Sequence, residues 1–444
     1  MSLENQPPSP QGDRIDREKL TFLWGMDPLP MSDTPAHFLV LGGVGSGKTI
    51  TLRLLMQSVI NAVGFGLDHR VLVYDPMRNM GPSLRGLNLR CPVCILNPFD
   101  QQAAAWDIAA DISSPVAAWQ MATYLIPEDR SSSPFFADAA RQLLLAVLLR
   151  FHNVAPGKWT LRDVLLAMRN RERILSLLAG SPTSADSARL LMNDERTSLG
   201  ILDTIATRLQ RLEVIAACWQ HATKKLSLER WVGEESVILL EGNIDFHSSI
   251  APIHQLFLAR LSELLGSQSD SAGRRTWVFL DDICAGGRLD MLPALMQQGR
   301  SKGVCIAFGV QSLGEIRRLY GSQAADQLLA ACSHKTALQT HEPEAASWAE
   351  QDFGQPLLMG DLMSLPGTGP EHGFAGFHRT PTAATHFTHK PWDWVLEHLP
   401  PFADTAPDES LRPASEHHLQ DWTDEDYQRL GCSIRLPDEK PAHR

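Results

Sequence analysis

Short apolar runs separated by helical spacing dominate the opening of this chain. Residues 37–41, 70–75 and 93–96 are apolar at most positions and too short for buried helices, so they predict strands covered on both faces. Residues 50–56, between the first two runs, continue as an apolar helix. Strand and helix alternate in this way from about residue 37 to about residue 107, the pattern of a parallel α/β sheet. From about 110 to 230 the spacing turns helical, with apolar faces over 136–149, 161–168 and 199–219, and no strand is expected there. Runs at 236–240, 276–280, 304–309 and around 335–339 predict that the sheet then resumes. The expected fold class is α/β, a mostly parallel sheet flanked by helices, with an inserted all-α domain.

The 444 residues exceed what a single core usually holds, which agrees with a large domain carrying an insertion. No apolar run reaches the roughly 18 residues of a membrane helix, and the N-terminus lacks the basic start and apolar stretch of a signal peptide, so a cytoplasmic location is expected. Seven cysteines, odd in number and scattered, suit a reducing compartment better than a disulfide framework. The one close pair, Cys91 and Cys94, has neither a second pair nor histidines at ligand spacing and predicts no metal site. A formal net charge of −11 argues against a protein that coats nucleic acid with its whole surface. It leaves room for a local basic channel, for which Arg208, Arg211, Lys224, Lys225, Arg317 and Arg318 are the candidate stripes.

The first run leads directly into Gly42-Gly43-Val44-Gly45-Ser46-Gly47-Lys48-Thr49, a complete phosphate-binding loop between a strand and a helix. Glycines let backbone N–H groups curl round phosphates, Lys48 reaches the β and γ oxygens, and the Thr49 hydroxyl is a Mg2+ ligand. Such a loop needs a carboxylate for the metal, and Asp281 ends the apolar run 277–280. Asp282, beside it, is the candidate for polarising the attacking water. Gln311 follows the run that ends at Gly309, where its amide can both donate to a γ-phosphate and accept from water. Arg300 is a cation ahead of that strand.

The expected division is therefore a flexible N-terminal arm (1–30), two parts of one nucleotide-binding domain (31–109 and 231–380), the all-α insertion (110–230), and a loosely packed tail (381–444). The arm carries one amphipathic patch at 20–24. The tail gathers prolines, acids, His417 and His418 around a short helix at 392–398 and reads as exposed and polar.

In order and spacing these pieces resemble the coupling ATPases of type IV secretion and conjugative DNA transfer. The resemblance covers about residues 36–355. It rests on the phosphate loop and the strand before it, on Tyr74-Asp75-Pro76, Leu96-Asn97-Pro98-Phe99-Asp100 and Ser133-Pro134-Phe135-Phe136. It continues through Leu280-Asp281-Asp282, Leu292-Pro293-Ala294-Leu295, Gly299-Arg300-Ser301-Lys302-Gly303, Gly309-Val310-Gln311-Ser312 and Tyr320-Gly321.

The resemblance implies a RecA-like P-loop NTPase fold, ATP and Mg2+, and a hexameric ring in which Arg300 reaches the neighbour's nucleotide and Gln311 senses the γ-phosphate. It implies DNA as cargo, single-stranded or as nucleoprotein, and a membrane-anchored secretion-system partner holding the ring at the inner membrane. Four departures stand out. Asp282 replaces the usual glutamate and is shorter by roughly 1.5 Å, Met77 stands where a lysine is frequent, Ala36 stands where some members carry an arginine, and no apolar run in this sequence is expected to form the N-terminal membrane helices that members typically bear. Two readings follow, a DNA-stimulated ATP-driven translocase and, as the alternative, a nucleotide-gated scaffold with weak turnover. The intact set of Lys48, Thr49, Asp281, Arg300 and Gln311 favours the motor.

Overall fold

The computed structural model describes residues 20–431, other than 79, 82, 83, 85, 86, 88, 129–133 and 400–410. A hairpin of β1 (Thr21–Trp24) and β2 (Asp27–Pro30) precedes β3 (Phe38–Leu41), helix α1 (Lys48–Ile60), β4 (His69–Asp75) and β5 (Val93–Leu96). After β6 (Ala105–Trp106) come the helices of the insertion, then β7 (Lys225–Leu226) and β8 (Val237–Glu241). β9 (Arg275–Leu280), β10 (Val304–Val310), β11 (His334–Ala337), β12 (Phe374–Arg379) and β13 (His386–Lys390) complete the set.

Nine of these strands form one sheet in the order β13-β12-β11-β3-β10-β9-β4-β8-β5. From β11 to β5 neighbours run parallel, and β12 and β13 add antiparallel at one edge. Alternate residues of each central strand serve different cores, as the two-residue period of a strand requires. Leu39, Leu41, Leu72, Ile238, Val278 and Ile306 face the core shared with the insertion. Phe38, Val40, Val71, Leu239, Trp277 and Ala307 face the core shared with α1 and the hairpin. This double burial is why the strands read as largely apolar runs.

The insertion packs largely on its own helices. The longest, Phe135–Val154, buries Leu143, Leu144, Val147, Leu148 and Phe151 against its neighbours, Glu195–Leu209 among them. Four of its helices start on a side-chain cap: Ser114, Thr160, Asn170 and Asp194 accept backbone N–H bonds in the first turn, which satisfies donors a helix start would leave open.

Three expectations need correction. The patch at 20–24 is no part of a flexible arm: Phe22 and Trp24 are fully buried, with rings 5.6 Å from Trp277 and 5.0 Å from Phe38. Two aromatic side chains supply enough buried area to pin a short hairpin to the sheet. Residues 1–19 lie outside the described set. The 110–230 segment contains a strand, because β7 returns to pair with β6 and closes the base of the insertion.

The tail is packed as well, since β13 is an edge strand of the sheet and 411–431 lie back across the insertion. Arg412 is buried, with its backbone N–H donating to Phe99 and its Nε to Pro98. Arg429 pairs with the fully buried Asp163 at 2.8 Å, Arg173 with Asp421 at 2.6 Å and Arg162 with Asp426 at 2.9 Å. His417 sets its ring edge-on to Phe99 and Phe246. The acids that suggest a solvated tail are matched here by arginines of the insertion, a pairing no local pattern reveals. Residues 400–410 and 432–444 of that expected tail lie outside the described set, as does Ser133.

Candidate functional site

The phosphate loop leaves β3 at the C-terminal edge of the sheet. Gly42 N–H donates to Val310 and Gly43 N–H to Gln339, so the loop starts pinned between the ends of β10 and β11. Gly45 and Gly47 take φ of 72° and 99°, left-handed conformations that side-chain-bearing residues rarely adopt, and these turn the chain into α1. Gly47, the N-cap of α1, has no side chain to cap it, which leaves the first N–H groups to an anion, and the helix dipole adds to their pull. Ser46 Oγ and Lys48 Nζ both donate to the Gly43 carbonyl, each at 2.8 Å.

Two carboxylates meet this loop from β9. Thr49 Oγ1 donates to Asp281 Oδ1 at 2.9 Å. A hydroxyl and a carboxylate side by side are the hard oxygen donors that Mg2+ prefers, so the residues fit that ion. Asp282 Oδ1 accepts the Cys284 N–H at 2.9 Å, which closes the turn after β9. Burial lowers the pKa of Lys48, and Asp282 and then Asp281 oppose it, so the ammonium sits within the field of both acids. Gln311 follows β10 at the same edge, half-buried. Lys48, Thr49, Asp281, Asp282 and Gln311 are thus brought to one edge.

Arg300 is not. It begins a short 3-10 helix before β10, at the N-terminal edge, and its Nε donates to Pro35 at 3.3 Å. Nearby His37 is pushed down to about 4 by burial, the Met296 carbonyl opposing and Arg300 contributing. Arg300 lines an open cavity of about 640 Å³ with Asp33, Thr34, Gln297 and Ser301. β10 spans seven residues, a length of roughly 23 Å, so the guanidinium cannot reach the phosphate loop of its own chain.

The remaining sequence candidates separate into different roles. Arg317 pairs with Asp326 at 2.8 Å and with Glu344, which removes it from that stripe, whereas Arg318 stays exposed, 3.9 Å from Glu315. Asp75 accepts N–H bonds from Met80 and Gly81, and Asn97 donates to Glu241 at 3.3 Å, so these residues brace the ends of β4, β5 and β8. Met77 is exposed and Ala36 buried. Cys91 is buried and Cys94 partly so, and among the described residues no group of three or more His, Cys, Asp or Glu could hold a metal ion. Among the described residues, no helix is long and apolar enough to cross a membrane.

Two contributors escape sequence reasoning. Arg53 lies one turn beyond Thr49 on α1; burial lowers its pKa and the Asp281 charge opposes that. The turn at 366–373 packs on the outside of the phosphate loop, where Thr368 N–H donates to Gly45 at 3.0 Å and its Oγ1 to Ser46 at 2.7 Å. Pro366, Gly367, Gly369 and Pro370 announce a turn, but nothing local names a partner 322 positions away.

Comparison with known proteins follows the same lines. The family model for the type IV secretion-system coupling protein DNA-binding domain matches residues 22–359. The chain is 22% identical over 327 residues to the coupling protein TraD of Escherichia coli (strain K12). That alignment covers 72% of this chain and 44% of TraD, so the chain spans less than half the length of that curated relative. The bacterial conjugative coupling protein TrwBdeltaN70, in its trigonal form with sulphate, superposes with a TM-score of 0.67 at 17% identity, covering 87% of this chain and 91% of that one. The plasmid coupling protein TrwB in complex with ADP and Mg2+ gives a TM-score of 0.63 at 16% identity over the same shares. At these identities the two structures establish a common fold, in agreement with the α/β architecture expected from the sequence.

Proposed function

The chain belongs to the type IV secretion-system coupling-protein family, and on that premise we propose that it is an ATP-hydrolysing ring motor that moves DNA or a nucleoprotein in conjugative transfer or secretion. The observation that carries this reading is the split of the machinery. Lys48, Thr49, Asp281, Asp282 and Gln311 meet at one edge of the sheet, and Arg300 lies at the other, beyond the reach of its own site. A site whose cation lies across the sheet is completed by a second subunit, and repeated around a circle that contact closes a ring.

Within the site the loop N–H groups and Lys48 bind the triphosphate, with ATP supported by the relatives: TrwB is described in complex with the ATP analogue ADPNP and with ADP and Mg2+, and also with the GTP analogue GDPNP. Thr49 and Asp281 would hold Mg2+, which when bound supplies positive charge to the phosphate oxygens. Asp282 takes the proton of the attacking water, Gln311 orients that water and the γ-phosphate, and Arg300 of the neighbouring subunit stabilises developing charge, a role worth about 10³ to 10⁵ in rate where it occurs. DNA as cargo is supported by the family's description as a DNA-binding domain. Basic residues repeated around a pore reconcile that cargo with the acidic net charge. A membrane-anchored secretion-system partner would hold the ring at the inner membrane.

The test is phosphate release by the purified chain with no DNA, single-stranded DNA and duplex. DNA-stimulated turnover lost in Lys48→Ala supports the motor. Nucleotide binding without turnover, relieved by Asp282→Glu, would replace it with the nucleotide-gated scaffold.

A further inference from the structure

We propose that the turn of residues 367–373 is a clamp on the phosphate loop, in which Thr368 is a positioning residue that keeps the Ser46 and Gly47 N–H groups aimed at a bound nucleotide's phosphates. The inference rests on the nucleotide-binding reading of that loop. It starts from two hydrogen bonds, Thr368 N–H to the Gly45 carbonyl at 3.0 Å and Thr368 Oγ1 to the Ser46 carbonyl at 2.7 Å.

In a trans peptide the C=O and the N–H of one unit point in opposite directions. The Gly45 carbonyl shares its unit with the Ser46 N–H, and the Ser46 carbonyl shares its unit with the Gly47 N–H. Holding both carbonyls from outside therefore turns both N–H groups inward, to the side where the loop receives its anion. Glycine-rich loops bend easily, and a donor array that wanders must be re-ordered whenever a ligand arrives. Thr368 fixes two adjacent units with one side chain and its own backbone.

The packing around this contact is close. A Cβ on Gly47 would lie 2.8 Å from Thr368 Oγ1 and 2.9 Å from the Phe374 ring, so the loop and the clamp leave no space between them. Phe374 is fully buried at the start of β12. The turn is itself anchored: Gly369 N–H donates to Gly373 at 3.0 Å and Gly373 N–H to Gly369 at 2.7 Å. The His372 carbonyl lies 2.9 Å from His389 Nε2 on β13. The antiparallel edge of the sheet thus has a role beyond covering the core, because it carries a rigid arm to the back of the site.

Thr368→Val keeps the side-chain shape and removes the Oγ1 bond, and Thr368→Ser restores the hydroxyl. Equilibrium binding of Mg2+·ADP to the full chain should weaken about three- to tenfold in Thr368→Val, the scale of one hydrogen bond, and return in Thr368→Ser. The unfolding temperature without nucleotide should stay within about 2 °C of the parent, since a surface-side bond contributes little to global stability. If the valine variant does not fold, Thr368→Ala, which introduces no clash, should show the same weakening. A parent chain that binds Mg2+·ADP beside valine and alanine variants that bind it equally well overturns the clamp and leaves the function standing. A serine variant as weak as valine also overturns it. A parent chain that binds neither Mg2+·ADP nor Mg2+·ATP overturns the nucleotide reading, and the clamp falls with it.

Discussion

The Thr49 hydroxyl and the Asp281 carboxylate meet at 2.9 Å, across 232 positions of sequence. One lies in the first turn of α1 and the other directly follows β9, and β10 lies between β3 and β9 in the sheet. The contact joins the phosphate loop to the acid strand and sets where a metal would sit. Asp281→Asn keeps the shape and removes the charge. It should abolish the Mg2+ requirement for tight nucleotide binding and lower turnover by about 10² or more, as expected when a group aimed at developing charge is lost. Nucleotide titrations with Mg2+ and with EDTA are the check, and an unchanged difference between the two would reject the assignment.

Asp282 has one oxygen committed to the Cys284 N–H, which leaves the other to act on water. Asp282→Asn preserves the turn and removes the base. Its kcat should fall about 10² while the nucleotide Kd stays within about twofold. A parallel loss of affinity would instead assign Asp282 to shaping the loop.

Arg300→Ala and Lys48→Ala should each be inactive alone and recover part of the turnover when mixed. Some interfaces of a mixed ring pair an intact phosphate loop with an intact arginine from the adjacent subunit. No recovery, with assembly verified by light scattering, would argue that Arg300 does not act between subunits. Arg300→Ala should retain nucleotide binding, because its side chain is directed at the Pro35 carbonyl of the opposite sheet edge.

The strap of residues 411–431 makes an acid-sensitive fastening. Asp426 is desolvated, which opposes ionisation, but Arg162, the Thr423 N–H and Arg429 outweigh this and hold its carboxyl well below the ordinary range. A depressed folded-state pKa contributes stability that is complete above the unfolded value near 3.8 and is lost as pH falls below it. The unfolding temperature should therefore fall below about pH 4, and less steeply in Asp426→Asn. Arg429→Met should cost about 3 kcal/mol at neutral pH, because it leaves Asp163 buried without its cation. Denaturant titration reads that loss, and a change under about 1 kcal/mol would mean that Trp422 Nε1 and the Thr160 cap satisfy Asp163 without it.

The separation between Arg300 and Lys48 shows where sequence reading reaches its limit. Both residues are legible in local pattern, one after a helix and one in a glycine-rich loop. Only strand direction reveals that they lie at opposite ends of neighbouring strands. Arg317 illustrates the converse, since it looks like a basic stripe in the sequence and is consumed by Asp326 and Glu344 in the fold.

What this sequence determined by itself was everything carried by short-range order. A doubly covered parallel strand must be apolar at most positions, and β3, β4, β9 and β10 announce themselves for that reason. A phosphate loop needs its glycines, lysine and threonine within one turn of chain, so Gly42 to Thr49 stand out with no fold in view. The tertiary structure alone decided the fate of segments whose partners are distant. Trp24 finds Phe38, Asp421 finds Arg173, and Thr368 finds Ser46. A hairpin, an acidic strap and a glycine-proline turn look alike to a local reading whether they are docked or free. The energy that docks them comes from surfaces that exist only once the sheet and the insertion have formed.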